Sequence, residues 1–354
     1  MRIFALLADN EKYMQRCLQL ARMGAGSTAP NPMVGAVLVY ENKIIGEGYH
    51  QQYGKAHAEV NCINKVSVAD KPLIEKSTLY VSLEPCAHFG KTPPCADLII
   101  KNNIPRVVIG CRDSYAEVDG KGIEKLKAAG VDVTVAVLEK EALELNKRFF
   151  TFHQLQRPYV ILKWAQSADK KIAGKDGVQT AISNAFTNRL VHQWRAEEAA
   201  IMVGTNTAVK DDPALTARLY PGKDPVRIVI DRKNQLPASL KLFDGTANTI
   251  VFNEEKDDEG EMLSFIKINK NEDSIPQILR SLYGLHIQSV IVEGGAKLLQ
   301  SFINSDLWDE ARIITNNEMT IGEGVAAPQL KNHQLTTEEI IYTDKIQYFI
   351  NNRQ

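Results

Sequence analysis

No stretch of this chain approaches the roughly 20 consecutive apolar residues that a membrane-spanning helix requires. The longest early apolar run, Ile3 to Ala8, is also too short for the core of an export signal. Long blocks of one charge are missing as well. The formal net charge is −1 and no Lys/Arg cluster could track a phosphate backbone, which argues against non-specific nucleic-acid binding and leaves a small anionic substrate open. Cysteine is scarce and odd in number: Cys17, Cys62, Cys86, Cys95 and Cys111 do not suggest a disulfide framework in a chain without an export signal, so some are available for metal. These absences predict a cytoplasmic protein with neither a nucleic-acid nor a membrane partner, and they leave self-association open.

What is present is ordinary globular composition, 44% hydrophobic and 24% charged over 354 residues, enough for two domains. Asp9 and Asn10 read as caps of a helix whose apolar face, Tyr13, Met14, Cys17, Leu18 and Ala21, runs to Gly24. Strands are predicted at 34–40 and 43–49, joined as a hairpin through Glu41-Asn42, although Gly46 and Gly48 weaken the second. A short helix from His57, strands at 78–83, 106–110 and 131–137, and helices at 95–102 and 122–129 complete an α/β pattern. A polar stretch ending at Arg157-Pro158 sets a boundary between residues 150 and 157, giving domains at 1–150 and 157–354. Beyond it, strands at 159–167, 200–204, 226–231, 249–252, 289–293 and 311–315 alternate with helices at 184–199, 274–283 and 296–309, and 346–350 reads as an edge strand.

The strongest chemical signal is His57-Ala-Glu59, then Glu84-Pro85-Cys86, then Pro93-Pro94-Cys95. One imidazole and two thiolates hold zinc tetrahedrally with the fourth position left for water, the open arrangement of a catalytic site. His57 and Cys86 are both expected at helix starts, where the dipole favours a thiolate. Glu59, two residues from a ligand, suits proton transfer from the activated water to a heterocycle and its departing ammonia. Cys17, Cys62 and Cys111 fall in apolar patterns and read as core. The eight residues between Cys86 and Cys95 exceed the two of the Pro-Cys-x-x-Cys pattern in nucleic-acid base deaminases, which argues against that class.

The string Glu84-Pro-Cys-Ala-His-Phe-Gly-Lys-Thr-Pro-Pro-Cys95 resembles the bifunctional riboflavin-biosynthesis deaminase/reductases, as do Pro30-Asn31-Pro32-Met-Val-Gly35, Gly48-Tyr-His50, Asp211-Asp-Pro-Ala-Leu215 and Val292-Glu-Gly-Gly295. The resemblance covers nearly the whole chain. It implies a cytidine-deaminase-like N-terminal domain and a dihydrofolate-reductase-like C-terminal domain, acting on a phosphorylated pyrimidine with zinc and NADPH as cofactors. Asn31, His50, Ala58, His88 and Lys91 fall on positions that contact the deaminase substrate in that family. For NADPH the resemblance implies Ser167, Thr207, Asp211 and the segment Gly295, Ala296, Lys297, Leu298, Leu299, Gln300, Ser301; for the reductase substrate it implies Arg195, Leu215, Arg218 and Glu293, with the arginines on its phosphate.

Arg232 and Lys233, just past a strand at the nucleotide edge, are candidates for the cofactor's 2′-phosphate. No Gly-x-Gly-x-x-Gly is present; Glu293-Gly-Gly295 instead ends a strand and opens a helix, a turn through which phosphate can reach backbone N–H groups. Two positions depart from the family pattern: Lys170 stands where it has glycine, and Ala181 where it has tryptophan. A competing reading keeps the deaminase and makes residues 158–354 a non-catalytic pyrimidine- or nucleotide-binding or assembly module.

Overall fold

The protein is described by a computed structural model over residues 2–89, 93–113 and 119–352, with side chains from residue 9 onward. It divides into two compact units, residues 1–156 and 157–354.

In the first unit, β1 (Gly35–Tyr40), β2 (Lys43–Tyr49), β3 (Thr78–Leu83), β4 (Arg106–Cys111) and β5 (Asp132–Thr134) lie in the order β2-β1-β3-β4-β5. Strand β1 is antiparallel to β2 and β3, and β3, β4 and β5 run parallel. Helix α1 (Arg2–Arg22) covers one face, setting Tyr13, Met14, Cys17 and Leu20 against Val37, Val39, Tyr80 and Val108. On the other face α2 (Ala58–Asn64), α3 (Cys95–Lys101) and α4 (Lys121–Ala128) bury Ala58, Cys62, Ile99 and Leu126. Helices α5 (Glu139–Leu145) and α6 (Lys147–Leu155) close the unit.

Three expectations need correction here. Asp9 and Asn10 lie inside α1 instead of capping it, because Asn10 is satisfied elsewhere: it is buried and its Oδ1 accepts from the Tyr80 hydroxyl at 3.0 Å. The strand expected at 131–137 shortens to β5. The glycines of β2 do not interrupt it; a Cβ at Gly48 would sit 2.3 Å from Cys62 N, so their missing side chains let α2 lie directly on the strand.

The second unit is built on a nine-stranded sheet, ordered β11-β10-β9-β8-β12-β6-β13-β16-β15. Its strands are β6 (Tyr159–Ser167), β8 (Ala200–Gly204), β9 (Val226–Ile230), β10 (Thr249–Asn253), β11 (Leu263–Lys267), β12 (Ser289–Glu293), β13 (Glu310–Asn316), β15 (His333–Ile341) and β16 (Asp344–Asn351), while β7 (Lys171–Gly174) pairs with β14 (Gly324–Ala326). All neighbours from β11 to β13 are parallel, and β16 and β15 are antiparallel additions. Buried runs such as Val160 to Leu162 and Val290 to Val292 belong to strands covered on both faces. Helices α9 (Ser274–Gly284) and α10 (Ala296–Asn304) cover one face, α7 (Ala185–Glu197) and α8 (Thr205–Asp211) the other.

The C-terminal strand is therefore not an edge. The exposed strand β15, His-Gln-Leu-Thr-Thr-Glu-Glu-Ile-Ile, pairs outside it and has no apolar alternation by which a strand could be read. Helix α10 ends at Asn304, earlier than expected, and the chain then buries Trp308 in the core.

Candidate active sites

The first site forms where α2 and α3 begin. His57 is the N-cap residue of α2, with extended backbone (φ −70°, ψ 167°), and Cys95 is the first residue of α3. Cys86 lies in the connection after β3, not at a helix start, so its thiolate is favoured by other means: the Cys95 N–H donates to its Sγ at 3.3 Å. His57 Nδ1 stands 3.6 Å from Cys86 Sγ and 3.4 Å from Cys95 Sγ. A tetrahedral zinc with bonds of about 2.0–2.1 Å to nitrogen and about 2.3 Å to sulfur separates those atoms by about 3.5 Å, so the three side chains fit zinc. They are the only His/Cys/Asp/Glu group among the described residues with such spacing.

The thiol pair shares its charge unevenly. Cys86 is pulled well below the usual thiol range by the Cys95 thiol and by His57, against the effect of burial. Glu59, in the first turn of α2, is buried, and burial together with the Cys86 charge raises its pKa. Cys17, Cys62 and Cys111 are buried away from this group, and burial pushes all three thiols up.

Around the centre, His50 donates from Nδ1 to Ala56 O at 3.1 Å and accepts at Nε2 from Asn31 Nδ2 at 3.1 Å, which sets one tautomer of a neutral ring. Burial lowers its pKa, consistent with that state. The His50 and His57 rings meet edge-on, centroids 5.4 Å apart, so His50 and Asn31 border the metal ligands. Ala58 is buried, and His88 Nδ1 is buried without a hydrogen-bond partner among the described residues. Lys91 lies outside the described residues.

Sequence reasoning passed over Glu84, whose buried carboxylate accepts from the backbone N–H groups of Asp113, Gly120, Gly122 and Ile123 at 2.9–3.2 Å. It pins the approach to α4 beside the Cys86 connection.

The second site is a cavity of about 750 Å³ at the carboxyl ends of β6, β8, β9 and β12. A cleft there, where strand order reverses, is the usual ligand position of open α/β sheets. Arg195, Thr207, Asp211, Leu215, Arg232 and Glu293 line it, and so do Gly295, Ala296, Lys297, Leu298 and Ser301. Gly294 and Gly295 take positive φ (77° and 72°) beside Thr207, where a Cβ on Gly294 would lie 2.8 Å from its Cγ2. Gly295 caps α10 without a side-chain bond, so the first N–H groups of that helix face the cavity, a fit for a phosphate of a dinucleotide.

Other expected residues stand off the wall. Ser167 is fully buried; its hydroxyl donates to Asp169 Oδ1 at 2.5 Å. Asp169 also accepts from the N–H groups of Ile321 and Gly322, and this clamp holds the turn in which Lys170 adopts φ 58°, the conformation that glycine would take more readily. Leu299 is core, Gln300 ties α10 to Gln329, and Arg218 and Lys233 are exposed.

Arg195 lies on the cavity wall with its guanidinium paired: its Nε and Nη2 bond Glu293 at 3.0 and 2.7 Å. Lys163 Nζ lies 3.5 Å from the same group and lines the cavity, a residue that sequence reasoning missed. It is the register partner of Glu293 in the adjacent parallel strand, and that pairing has no sequence signature. Burial would raise the Glu293 carboxyl, yet Arg195 and Lys163 overcome it and bring it to about 2. Burial also lowers Lys163. His192, buried in α7, is driven down to about 4 by burial and by the Arg195 and Arg218 charges.

A His/Cys/Cys centre with a buried glutamate, and a second α/β unit with a glycine-lined helix terminus over a charged cleft, define a zinc-type deaminase joined to a dinucleotide-dependent reductase. Models of the cytidine and deoxycytidylate deaminase zinc-binding region and of the RibD C-terminal domain match residues 7–111 and 158–340. The riboflavin biosynthesis protein RibD of Aquifex aeolicus is 41% identical over 327 residues, 91% of this chain and 90% of that one, and the Escherichia coli protein 35% identical over 85% and 86%. A crystal structure from Thermotoga maritima, described as a diaminohydroxyphosphoribosylaminopyrimidine deaminase/5-amino-6-(5-phosphoribosylamino)uracil reductase, is 35% identical and superposes with a TM-score of 0.89, covering 98% of this chain and 99% of that one. The chain belongs to the RibD family of riboflavin-biosynthesis proteins, with a cytidine-deaminase-type zinc-binding region in its first unit and a RibD C-terminal domain in its second.

Proposed function

We propose that this chain carries out both consecutive reactions: hydrolytic deamination of 2,5-diamino-6-ribosylamino-4(3H)-pyrimidinone 5′-phosphate, then NADPH-dependent reduction of its ribosyl chain to ribityl. The observation that carries the first is the His57, Cys86 and Cys95 triangle with Glu59 buried beside it. Zinc bound there supplies Lewis acidity that makes a water nucleophilic near neutral pH. Glu59 carries one proton of that water to the ring nitrogen and then, as the C–N bond breaks, carries the second from the added hydroxyl to the amino group, which leaves as ammonia while a ring carbonyl remains. Asn31, the neutral His50 and His88 orient the pyrimidine.

For the second reaction, NADPH bound against Gly295, Ala296, Lys297, Leu298 and Ser301 would supply the hydride. The hydride goes to C1′ of the ribosyl unit and the bond from C1′ to the sugar-ring oxygen breaks; Lys163, held by Glu293, is placed to donate the proton that turns that oxygen into a hydroxyl, and Glu293 keeps Arg195 and Lys163 fixed at the cleft. Residues 1–150 act as the deaminase and 157–354 as the reductase. Ammonia release from the diaminopyrimidine substrate tests the first half, and loss of NADPH absorbance on the deaminated product tests the second. An active deaminase that never oxidises NADPH would return residues 158–354 to a binding role.

A further inference from the structure

A helix opening is ordinarily satisfied by a serine, threonine, asparagine or aspartate at its own N-cap. The N-cap of α4 is Gly120, which has no side chain to offer, and the acceptor comes instead from Glu84, 36 residues earlier. Its Oε1 accepts from Gly122 N and Ile123 N at 2.9 and 3.2 Å, and its Oε2 from Gly120 N and Asp113 N at 3.1 and 3.2 Å. A carboxylate has about four lone-pair sites, so this buried group is filled as an acceptor. One residue on, the Pro85 carbonyl lies against the bare second position of α4: a Cβ on Gly122 would stand 1.9 Å from its oxygen. The next residue is the metal ligand Cys86. Its carbonyl accepts from Ala96 N at 3.1 Å and its Sγ from Cys95 N at 3.3 Å, both in the first turn of α3. Lys125 of α4 pairs with Asp97 of α3 at 2.5 Å. Cys86 is thus bracketed between the openings of two helices, with only the ring-restricted Pro85 between it and the Glu84 anchor.

We propose that Glu84 is a positioning residue of the metal centre: by holding the first N–H groups of α4 it fixes the Pro85–Cys86 peptide, and with it the Cys86 corner of the zinc triangle. This rests on the zinc-deaminase reading above. A cap supplied from within α4 would satisfy the helix as well but would leave Cys86 tied to α3 alone. Glutamine at this position keeps the shape of the side chain, yet its amide nitrogen would face two N–H donors. One side of the clamp is then lost, and the connection that carries Cys86 is released from α4.

The test is zinc affinity, by competition with a chromophoric chelator, of the full chain and of Glu84→Gln, Gly122→Ala and Tyr80→Phe. The absorption bands of the cobalt-substituted proteins report ligand geometry alongside. Loss of a group that orients a ligand weakens metal binding by about 10- to 100-fold, and Glu84→Gln should do so with altered cobalt bands. Gly122→Ala leaves the carboxylate in place but displaces the Pro85 carbonyl, so it should act in the same direction and carries the comparison if Glu84→Gln fails to fold. Tyr80→Phe loses the hydrogen bond to Asn10 of α1, which destabilises the same unit without touching Cys86; its zinc Kd and cobalt bands should stay parental. NADPH oxidation on supplied deaminated substrate should be unchanged in all three. A folded Glu84→Gln, or Gly122→Ala where the first does not fold, with parental Kd and bands would reduce Glu84 to a helix cap and overturn the assignment alone. So would a Tyr80→Phe variant that weakens zinc as much as Glu84→Gln. A parent that binds no zinc overturns the deaminase reading together with it.

Discussion

Changing Glu293 to Gln preserves the shape of the side chain and removes the anion that Arg195 and Lys163 share. The cost follows from the ion cluster. Burial opposes ionisation of Glu293, but the two cations bring its carboxyl from an ordinary 4.5 to about 2. That drop is worth about 3 kcal/mol, which agrees with the roughly 3–5 kcal/mol lost when one partner of a buried ion pair is deleted. At about 2–4 °C per kcal/mol for a unit of this size, Glu293→Gln should lower the melting temperature of the second unit by roughly 6–12 °C at pH 7. The folded-state pKa lies below the unfolded one, so the carboxylate's contribution is complete above pH 4.5 and disappears as pH falls through about 2. The gap between parent and variant should therefore narrow on acidification. Calorimetric scans of both full-length proteins at pH 7 and at pH 3 measure it. A deficit under about 2 °C at pH 7, or one that acid leaves unchanged, would refute the view that Glu293 is the keystone of the cleft.

Other outcomes follow from the same geometry. Glu59→Gln should cut deamination by about 10²–10⁴-fold while zinc stays bound and NADPH oxidation on supplied deaminated substrate stays near the parent rate; loss of both half-reactions in a folded, zinc-loaded variant would contradict independent sites. Metal analysis should find one zinc per chain. Cys17→Ser, Cys62→Ser and Cys111→Ser should each retain it, and removal by a chelator should stop ammonia release before it affects NADPH oxidation. Arg232 lines the cavity and bonds Ser274 Oγ at 3.2 Å, so Arg232→Ala should weaken NADPH more than NADH; an unchanged ratio of kcat/KM for the two would sink that role.

Much of this was legible before any coordinates, for identifiable reasons. The metal ligands and Glu59 are written in short segments whose residue types have few other uses together, and folding only closes a triangle that local spacing had announced. The hairpin β1–β2 and the parallel strands carry period-2 or continuous apolar patterns that survive in a single sequence. What was missed depends on register or on partners distant in the chain. Lys163 gains meaning from its alignment with Glu293, and the pairing of Arg195 with that carboxylate, 98 residues away, could not be read from the helix alone. Asn10 resembles a cap until Tyr80, 70 residues away, accounts for its oxygen. Strand β15 has no pattern because neither of its faces is covered.

The bare backbone of β2 has a consequence for how errors would spread. Any side chain at Gly48 would press on Cys62 N and Ala58 O, at 2.3 and 2.6 Å, and the nearest relief is for α2 to lift from the sheet. His57 and Glu59 travel with that helix, whereas Cys86 lies in the connection after β3 and Cys95 opens α3. A methyl group added on the strand, touching neither His57 nor Glu59, would thus pull one corner of the metal triangle away from the other two. The strand sets the helix's standoff, and the coordination geometry inherits its tolerance from two missing β-carbons.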